Sequence, residues 1–372
     1  MISKNKILNF RTKAKTVNLP IKELDTIKNA FKTQNGEVKI IGGAVRNIIL
    51  LDEKIVDCDL VTDLNPDEMM DCLKKQKIRY IGTGLRFGTI TAKIDQISIQ
   101  ITSLRQDVIP DGRWTKVNYT KNWFLDSHRR DFTINAIYMN LDGEIFDPFD
   151  GINDLIQKKV IFIGVPKDRI KEDYLRILRF LRFSIKYSKI FDEAGLKACI
   201  NMKSKLQMIS FERRYSELLK MISDINFEEK FNELSKTNIL NYIFNLNINI
   251  RNVEKYFKIE RFHDIVDPVR RVKFFLRSVR SFSSKNFYDK LSIKVRRRIQ
   301  FKLKFNNYDL RNLNYQLYYS SKTNVLDQLI FDFADDLVKK IEFNNLFDFI
   351  KRWKKKKFPI NGNDLIKMGI NN

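Results

Sequence analysis

Two aspartates one residue apart, Asp57 and Asp59, carry the sharpest chemical signal in the chain. Side chains alternate along a strand, so Val56, Cys58 and Leu60 face a core while both carboxylates share the opposite face. Carboxylates at i and i+2 can hold a pair of Mg2+ ions, an arrangement that suits phosphoryl transfer by a two-metal mechanism. Any surface strand can carry two aspartates, and this pair gains weight from what precedes it. Gly42-Gly43-Ala44-Val45-Arg46 follows the apolar run 38–41 and leads into Ile48-Ile49-Leu50. Glycines at a strand-to-helix turn let backbone N–H groups, Gly43 among them, approach a phosphate. The helix N-terminus adds positive potential, and Arg46 can clamp a phosphate oxygen. Taken alone, the glycines are more commonly a plain tight turn.

A second constellation is Arg129-Arg130-Asp131-Phe132-Thr133-Ile134-Asn135. Adjacent arginines, an acid and an amide entering an apolar run suggest a phosphate site lined by Arg129 and Arg130 and oriented by Asp131, with Asn135 following. An ordinary salt-bridge cluster is the alternative. His128 beside them is read as a loop residue without a role. Gly82, Gly84 and Gly88 precede a strand rather than a helix and are read as turn glycines.

The elements that must position these groups follow from periodicity. Residues 38–41, 55–61, 87–94, 97–103 and 134–139 are short β-type runs separated by Gly, Asp and Asn. Residues 65–74 predict a helix, with Asn65 as its cap and Pro66 at its first position. Beyond 160–165, a last strand-like run, Gly and Pro thin out. Apolar spacing then predicts helices over 168–188, 210–223, 226–236, 285–304 and 324–341. The expectation is a mixed α/β head at 1–150 followed by helical segments at 151–223 and 224–372.

Charge divides the same way. The 69 Lys+Arg and 45 Asp+Glu leave +24, of which residues 1–150 carry +3 and residues 151–372 carry +21. A near-neutral front joined to a basic back points to a polyanionic partner held by the back. Apolar runs fall short of the roughly 18 residues a membrane helix needs, so no membrane partner is expected. Three cysteines without a Cys-x-x-Cys pair exclude a disulfide framework or a cysteine-built zinc site and fit a reduced, cytoplasmic compartment.

Taken in order, these motifs resemble the class II tRNA nucleotidyltransferases (CCA-adding enzymes) and their bacterial poly(A) polymerase relatives. The resemblance runs from Gly42–Arg46 through Asp57-Cys58-Asp59 with Thr62-Asp63, Thr83-Gly84 and Gly88-Thr89, and Thr102-Ser103-Leu104-Arg105 leading to Asp111-Gly112-Arg113. It continues through 129–137, Asp147-Pro148-Phe149-Asp150-Gly151, 172–183, Ile209-Ser210 and Glu212-Arg213, and so covers about residues 38–220. The wording of 102–113 and 172–183 is most similar to the alphaproteobacterial and mitochondrial branch. The resemblance implies a polymerase-β-like nucleotidyltransferase head followed by all-α neck, body and tail domains. It also implies Mg2+ as cofactor, CTP and ATP as substrates, and tRNA as partner.

It further implies a protein that selects nucleotides without a template. If 172–183 is helical, Asp173 and Arg176 lie at i and i+3 on one face. Cytosine and adenine each present an exocyclic amino donor beside a ring-nitrogen acceptor. An aspartate accepting from the first and an arginine donating to the second would read both and reject guanine and uracil. Arg179 and Arg182 continue the stripe toward triphosphate or RNA. Asp111 and Arg113 fall in a segment that is mobile in the family, and Arg113 is expected to help switch the site from C to A addition.

Four departures stand out. Asn47 replaces the Asp usual after the glycine-turn arginine, and Gln100 replaces a Glu common in relatives that could assist the metals. His263-Asp264 is similar to a dyad of metal phosphohydrolases, but the only other histidine is His128, so that chemistry is rejected. After the tail-like run 358–366 relatives continue for some tens of residues, which reads here as a shortened tail. The activities consistent with the motifs are CCA addition, poly(A) or partial (CC or A) addition, and an inactive RNA-binding homologue.

Overall fold

The computed structural model describes residues 2–355 apart from 4–5, 8, 52–53, 56, 109–115, 247, 249–250, 278, 280–286 and 303–307. The expected loop residues Asp111 and Arg113 and the tail run 358–366 lie outside the described residues. Two compact units form, residues 1–233 and 234–372. The mixed-sheet head followed by helices, read from the sequence, is what the chain builds.

Among the described residues the first unit contains a seven-stranded sheet. Its order is Ile145–Phe146, Tyr138–Met139, Val38–Ile41, Asp59–Thr62, Ile97–Ser103, Thr89–Ile94 and Arg79–Ile81. Every neighbouring pair is antiparallel except Asp59–Thr62 against Ile97–Ser103. Period-two alternation sends Ile40, Cys58, Leu60, Ile99 and Ile101 into the larger core beneath the sheet. There they meet Leu24 and Ile27 of the helix Ile21–Lys32, Val45 and Ile48 of Gly43–Leu50, and Met69 and Leu73 of Pro66–Lys75. The opposite parity, Ile41, Val61, Leu104 and Tyr138, builds a smaller cluster on the other face. The helix predicted at 65–74 forms with a full capping box. Asn65 accepts from Asp67 N and Glu68 N, while Glu68 accepts from Asn65 N at 2.7 Å.

Several boundaries differ from the sequence expectation, each for a local reason. The strand predicted over 55–61 pairs only from Asp59. Within 134–139 a short 3-10 turn, Thr133–Asn135, precedes the two-residue strand Tyr138–Met139. At 160–165 there is only an isolated bridge, Phe132 to Phe162. The helix predicted over 168–188 breaks at Asp173, which is extended (φ −151°, ψ 108°) between Pro166–Glu172 and Leu175–Tyr187. The one predicted over 324–341 divides into Lys322–Ala334 and Lys340–Arg352, with Asp336 left-handed at φ 62° between them. Apolar spacing runs through both breaks, because each pair of helices buries the same stripe.

The second unit packs helices around stacked aromatics, Tyr256 on Phe274 at 4.0 Å with Phe331 beside them. Into this apolar setting the chain builds ion pairs. Asp327, fully buried, accepts from Arg270 Nε at 2.7 Å and Arg298 Nε at 2.8 Å. Glu260 accepts from Arg271 Nε and from the Tyr256 hydroxyl, both at 2.7 Å. His263 packs its ring 4.0 Å from Phe347. No helix among the described residues is long and apolar enough to cross a membrane.

Removing one partner of a buried ion pair strands the other in low dielectric, at a cost of about 3–5 kcal/mol. Asp327→Ala is accordingly expected to destabilise the helical unit by about that amount, read as a lowered urea midpoint of its unfolding transition. Asp335→Ala, whose partner Arg277 is more open to solvent, should cost far less.

Candidate active site

Strand register brings the separated motifs to one end of the sheet. Ile41, the last residue before the glycine turn, pairs with Asp59 on one side and Tyr138 on the other, and Asp59 pairs with Gln100 across the parallel ladder. Gly42 turns the chain with φ 73° and ψ −131°, a conformation only glycine adopts easily, and nothing stands within 4 Å of where its Cβ would be. Gly43 opens the helix Gly43–Leu50 in similarly open space. Asp57 and Asp59 are exposed on either side of buried Cys58, as strand alternation requires. Neighbouring structure crowds water away from Asp59 and pushes its pKa up; the Asp57 charge adds to this and Arg130 opposes it. A second carboxylate close enough to push the Asp59 pKa up makes this a place where a divalent cation is favoured.

The arginines predicted to line this site are organised by a residue the motif reading passed over. Asp126, fully buried in the helix Trp123–His128, accepts from Arg129 Nε at 2.8 Å and Arg130 Nη2 at 2.8 Å. It also accepts from the Tyr138 hydroxyl at 2.7 Å. Burial alone would raise its pKa. The charges of Arg130 and Arg129 and the Tyr138 hydroxyl outweigh burial and hold it at about 2. Arg130 lies against the Tyr138 ring and gives Nε to its oxygen at 2.8 Å. The signal that could have found Asp126 is its i−3 and i−4 spacing from the two arginines.

A second buried chain of contacts starts under the glycine turn. Arg46 is buried rather than open as a clamp. It donates to Asn135 Oδ1 and to the Ile134 carbonyl, and packs against the rings of Phe183 and Tyr187. Asn135 donates to Asp131 Oδ1 at 2.8 Å, and Asp131 Oδ2 accepts from Arg179 Nε at 2.5 Å. Burial raises the Asp131 carboxyl, but Arg179 and the amide of Asn135 bring it below the usual range. Four of the expected nucleotide-binding residues thus form one internal relay from the turn to the helix Leu175–Tyr187.

Asp173 and Arg176 do not share a helix face, because the helix breaks between them. The expected geometry is corrected to a turn, with Arg176 N bonded to Asp173 O at 2.9 Å. Their side chains hold other partners. Asp173 Oδ1 accepts from Leu175 N at 3.0 Å and Oδ2 from Arg213 Nη2 at 2.9 Å. Arg176 gives Nη1 to Glu172 at 2.6 Å and to Arg169 O at 2.9 Å, and Nη2 to Arg129 O at 3.1 Å. Arg182 pairs with Glu217 at 2.8 Å. Sequence reading missed Glu217, though its spacing four residues after Arg213 on one helix marks a common face.

Comparison with known proteins finds likenesses in sequence and in fold. Residues 38–161 match the family described as the poly A polymerase head domain, and residues 191–246 match the probable RNA and SrmB-binding site of polymerase A. The human mitochondrial CCA tRNA nucleotidyltransferase 1 is 41% identical over 206 residues, which are 54% of this chain and 46% of that protein. The CCA-adding enzyme of Lactobacillus delbrueckii subsp. bulgaricus is 36% identical over 205 residues, 55% of this chain and 50% of that one. The chain spans about half the length of these curated relatives. Among solved structures, the Bacillus stearothermophilus CCA-adding enzyme in complex with CTP superposes with a TM-score of 0.71 at 22% identity, over 95% of this chain and 89% of that one. The Thermotoga maritima CCA-adding enzyme complexed with tRNA gives 0.68 at 22% identity, over 97% and 90%. These two likenesses establish the fold.

Because the folded Asp126 carboxyl is held below its ordinary range, its stabilising contribution is whole above about pH 4. That contribution disappears as the pH falls toward about 2. Asp126→Asn should therefore be less stable than the parent at neutral pH, and the gap should narrow between those limits. Thermal denaturation at a series of pH values from 6 to 2 reads both effects.

Proposed function

From a poly A polymerase head domain joined to an RNA-binding segment, we propose that this protein adds C, C and A in turn to the 3′ end of tRNA. It would use CTP and ATP without a template. The observation that carries the reading is the convergence of Asp57 and Asp59 with the open Gly42–Gly43 turn and the Asp126-held arginines at one sheet end. The named relatives supply the substrate class. The division of labour proposed along the chain is a head (1–150), a nucleotide-selecting neck (151–223) and a tRNA-binding body and tail (224–372). A cytoplasmic site of action fits three unpaired, buried cysteines.

Asp57 and Asp59 would hold Mg2+, which is commonly bound through one or two carboxylates with substrate phosphate oxygens completing its shell. When bound, the ion supplies charge neutralisation at the triphosphate and makes the attacking hydroxyl more acidic. The chain's own groups do the rest. The N–H groups at Gly42 and Gly43 cradle phosphate oxygens, and Arg130, fixed by Asp126 and Tyr138, sets positive charge beside the carboxylates. With these groups fixed before substrate arrives, nucleotidyl transfer to the 3′-hydroxyl, with pyrophosphate leaving, is chiefly a matter of positioning. Asp173 would accept from the exocyclic amino group of cytosine or adenine. Arg176 has three of its five N–H bonds directed to Glu172, Arg169 and Arg129, which holds the remaining two for the ring nitrogen.

Purified protein with Mg2+ is expected to extend a tRNA lacking its 3′ tail by C, C and A and then stop, and Asp57→Ala should abolish extension while tRNA binding persists. Long A-tails would instead favour poly(A) synthesis, the activity named by the head family. Extension only of tRNA already ending in CC would assign partial addition, and no incorporation an inactive RNA-binding protein. Gln100 stands beside Asp59 in the ladder, so Gln100→Glu adds a third carboxylate at that end. It should lower the Mg2+ concentration that gives half-maximal extension, read by titrating the metal at fixed CTP.

A further inference from the structure

We propose that Arg213 is a positioning residue for nucleotide selection, aiming the Asp173 carboxylate at the exocyclic amino group of the incoming base. The inference rests on the base-reading roles of Asp173 and Arg176 given above and goes beyond them to the residue that makes Asp173 competent.

Asp173 sits in extended backbone between two helices, so no helix face fixes the direction of its side chain. Two contacts do so. Oδ1 closes an Asx-type turn on Leu175 N at 3.0 Å, tying one oxygen to the backbone at the mouth of the helix Leu175–Tyr187. Oδ2 accepts from Arg213 Nη2 at 2.9 Å. The second oxygen is the one left to meet a base, and with Oδ1 tied to the backbone the guanidinium completes the fixing of its direction. A carboxylate oxygen has a further acceptor site beyond the one Arg213 occupies, so the base amino group can join the same oxygen without displacing the arginine.

Arg213 is itself well placed for this. Ser210 caps the helix Phe211–Ile222, and Arg213 stands in its first turn. One turn later, on the same face, Glu217 pairs with Arg182 of Leu175–Tyr187 at 2.8 Å, and that pair is largely buried. The Arg182–Glu217 pair clamps the two helices; the Arg213–Asp173 pair, with side chains 52% and 38% exposed, stays open where a base can approach. A solvent-exposed ion pair contributes little to stability, which leaves orientation as its distinctive effect.

The test removes the amino group from the ligand and the guanidinium from the protein separately. With the full chain and Mg2+, affinities are measured for CTP and its analogue lacking the 4-amino group, and for ATP and purine riboside triphosphate. The unaltered protein should bind each analogue more weakly, by on the order of tenfold or more. Asp173→Ser, which keeps a cap for Leu175 N but lacks the second oxygen, should abolish that difference. Arg213→Ala should shrink it severalfold for both bases, Arg213→Lys should restore part of it, and the double variant should match Asp173→Ser alone.

The proposal is overturned if Arg213→Ala leaves the analogue difference intact while Asp173→Ser removes it. It is also overturned if Arg213→Ala weakens amino-bearing nucleotides and analogues equally, the mark of a merely structural role, or enlarges the difference, the mark of a competitor. If the unaltered protein, or Asp173→Ser, discriminates in the wrong sense, the base-reading role of Asp173 itself falls, and this result is distinct from all the others.

Discussion

One buried carboxylate holds together the end of the sheet where Asp57, Asp59 and the glycine turn meet. Asp126 stands between two adjacent arginines and a tyrosine hydroxyl, in a place where an unpaired charge of either sign would be costly. Its ionised state makes the buried ends of Arg129 and Arg130 tolerable, and their charge in turn keeps it ionised. The backbone carbonyls of the same two arginines receive Arg176 and Arg169. Removing the Asp126 charge would therefore disturb the strand Tyr138–Met139, the segment at 129–130 and the start of the next helices together.

The relay from Arg46 through Asn135 and Asp131 to Arg179 does a related job at a second depth. It links the helix that opens at the glycine turn with the helix that follows Asp173, each group hydrogen-bonded to the next. A polar chain of this kind specifies one relative placement, because a shift of either helix leaves a charged or amide group without its partner. The sheet end and the turn at Asp173 are thus fixed to one another by chemistry within the first unit.

Much of this was legible in the residues. Period-two alternation at Cys58 and Leu60 placed Asp57 and Asp59 outward, and Asn65-Pro66 announced a helix start that the capping box confirms. The glycine turn declared itself because no other residue suits the Gly42 backbone. What was not legible was partnership. Arg46 looked like a phosphate clamp because sequence carries no record of the Phe183 and Tyr187 rings that cover it. The break at Asp173 was hidden because the apolar stripe continues across it, and an Asx turn is a matter of one side chain finding one N–H. Nor does composition tell which basic residues carry the surplus: Arg270, Arg271 and Arg298 are each paired with acids in the second unit.

The single parallel pairing in the sheet, Asp59–Thr62 against Ile97–Ser103, has a consequence for how the protein comes into being. A hairpin can zip as soon as its turn is made, but parallel neighbours must wait for the whole crossover between them. Asp59 gains its flanks from residues 38–41 and 97–103, and the neighbouring strand from residue 138, and the relay beneath it closes only when residue 179 arrives. Asp59 is therefore framed on both sides only once the crossover through residues 63–96 has been made.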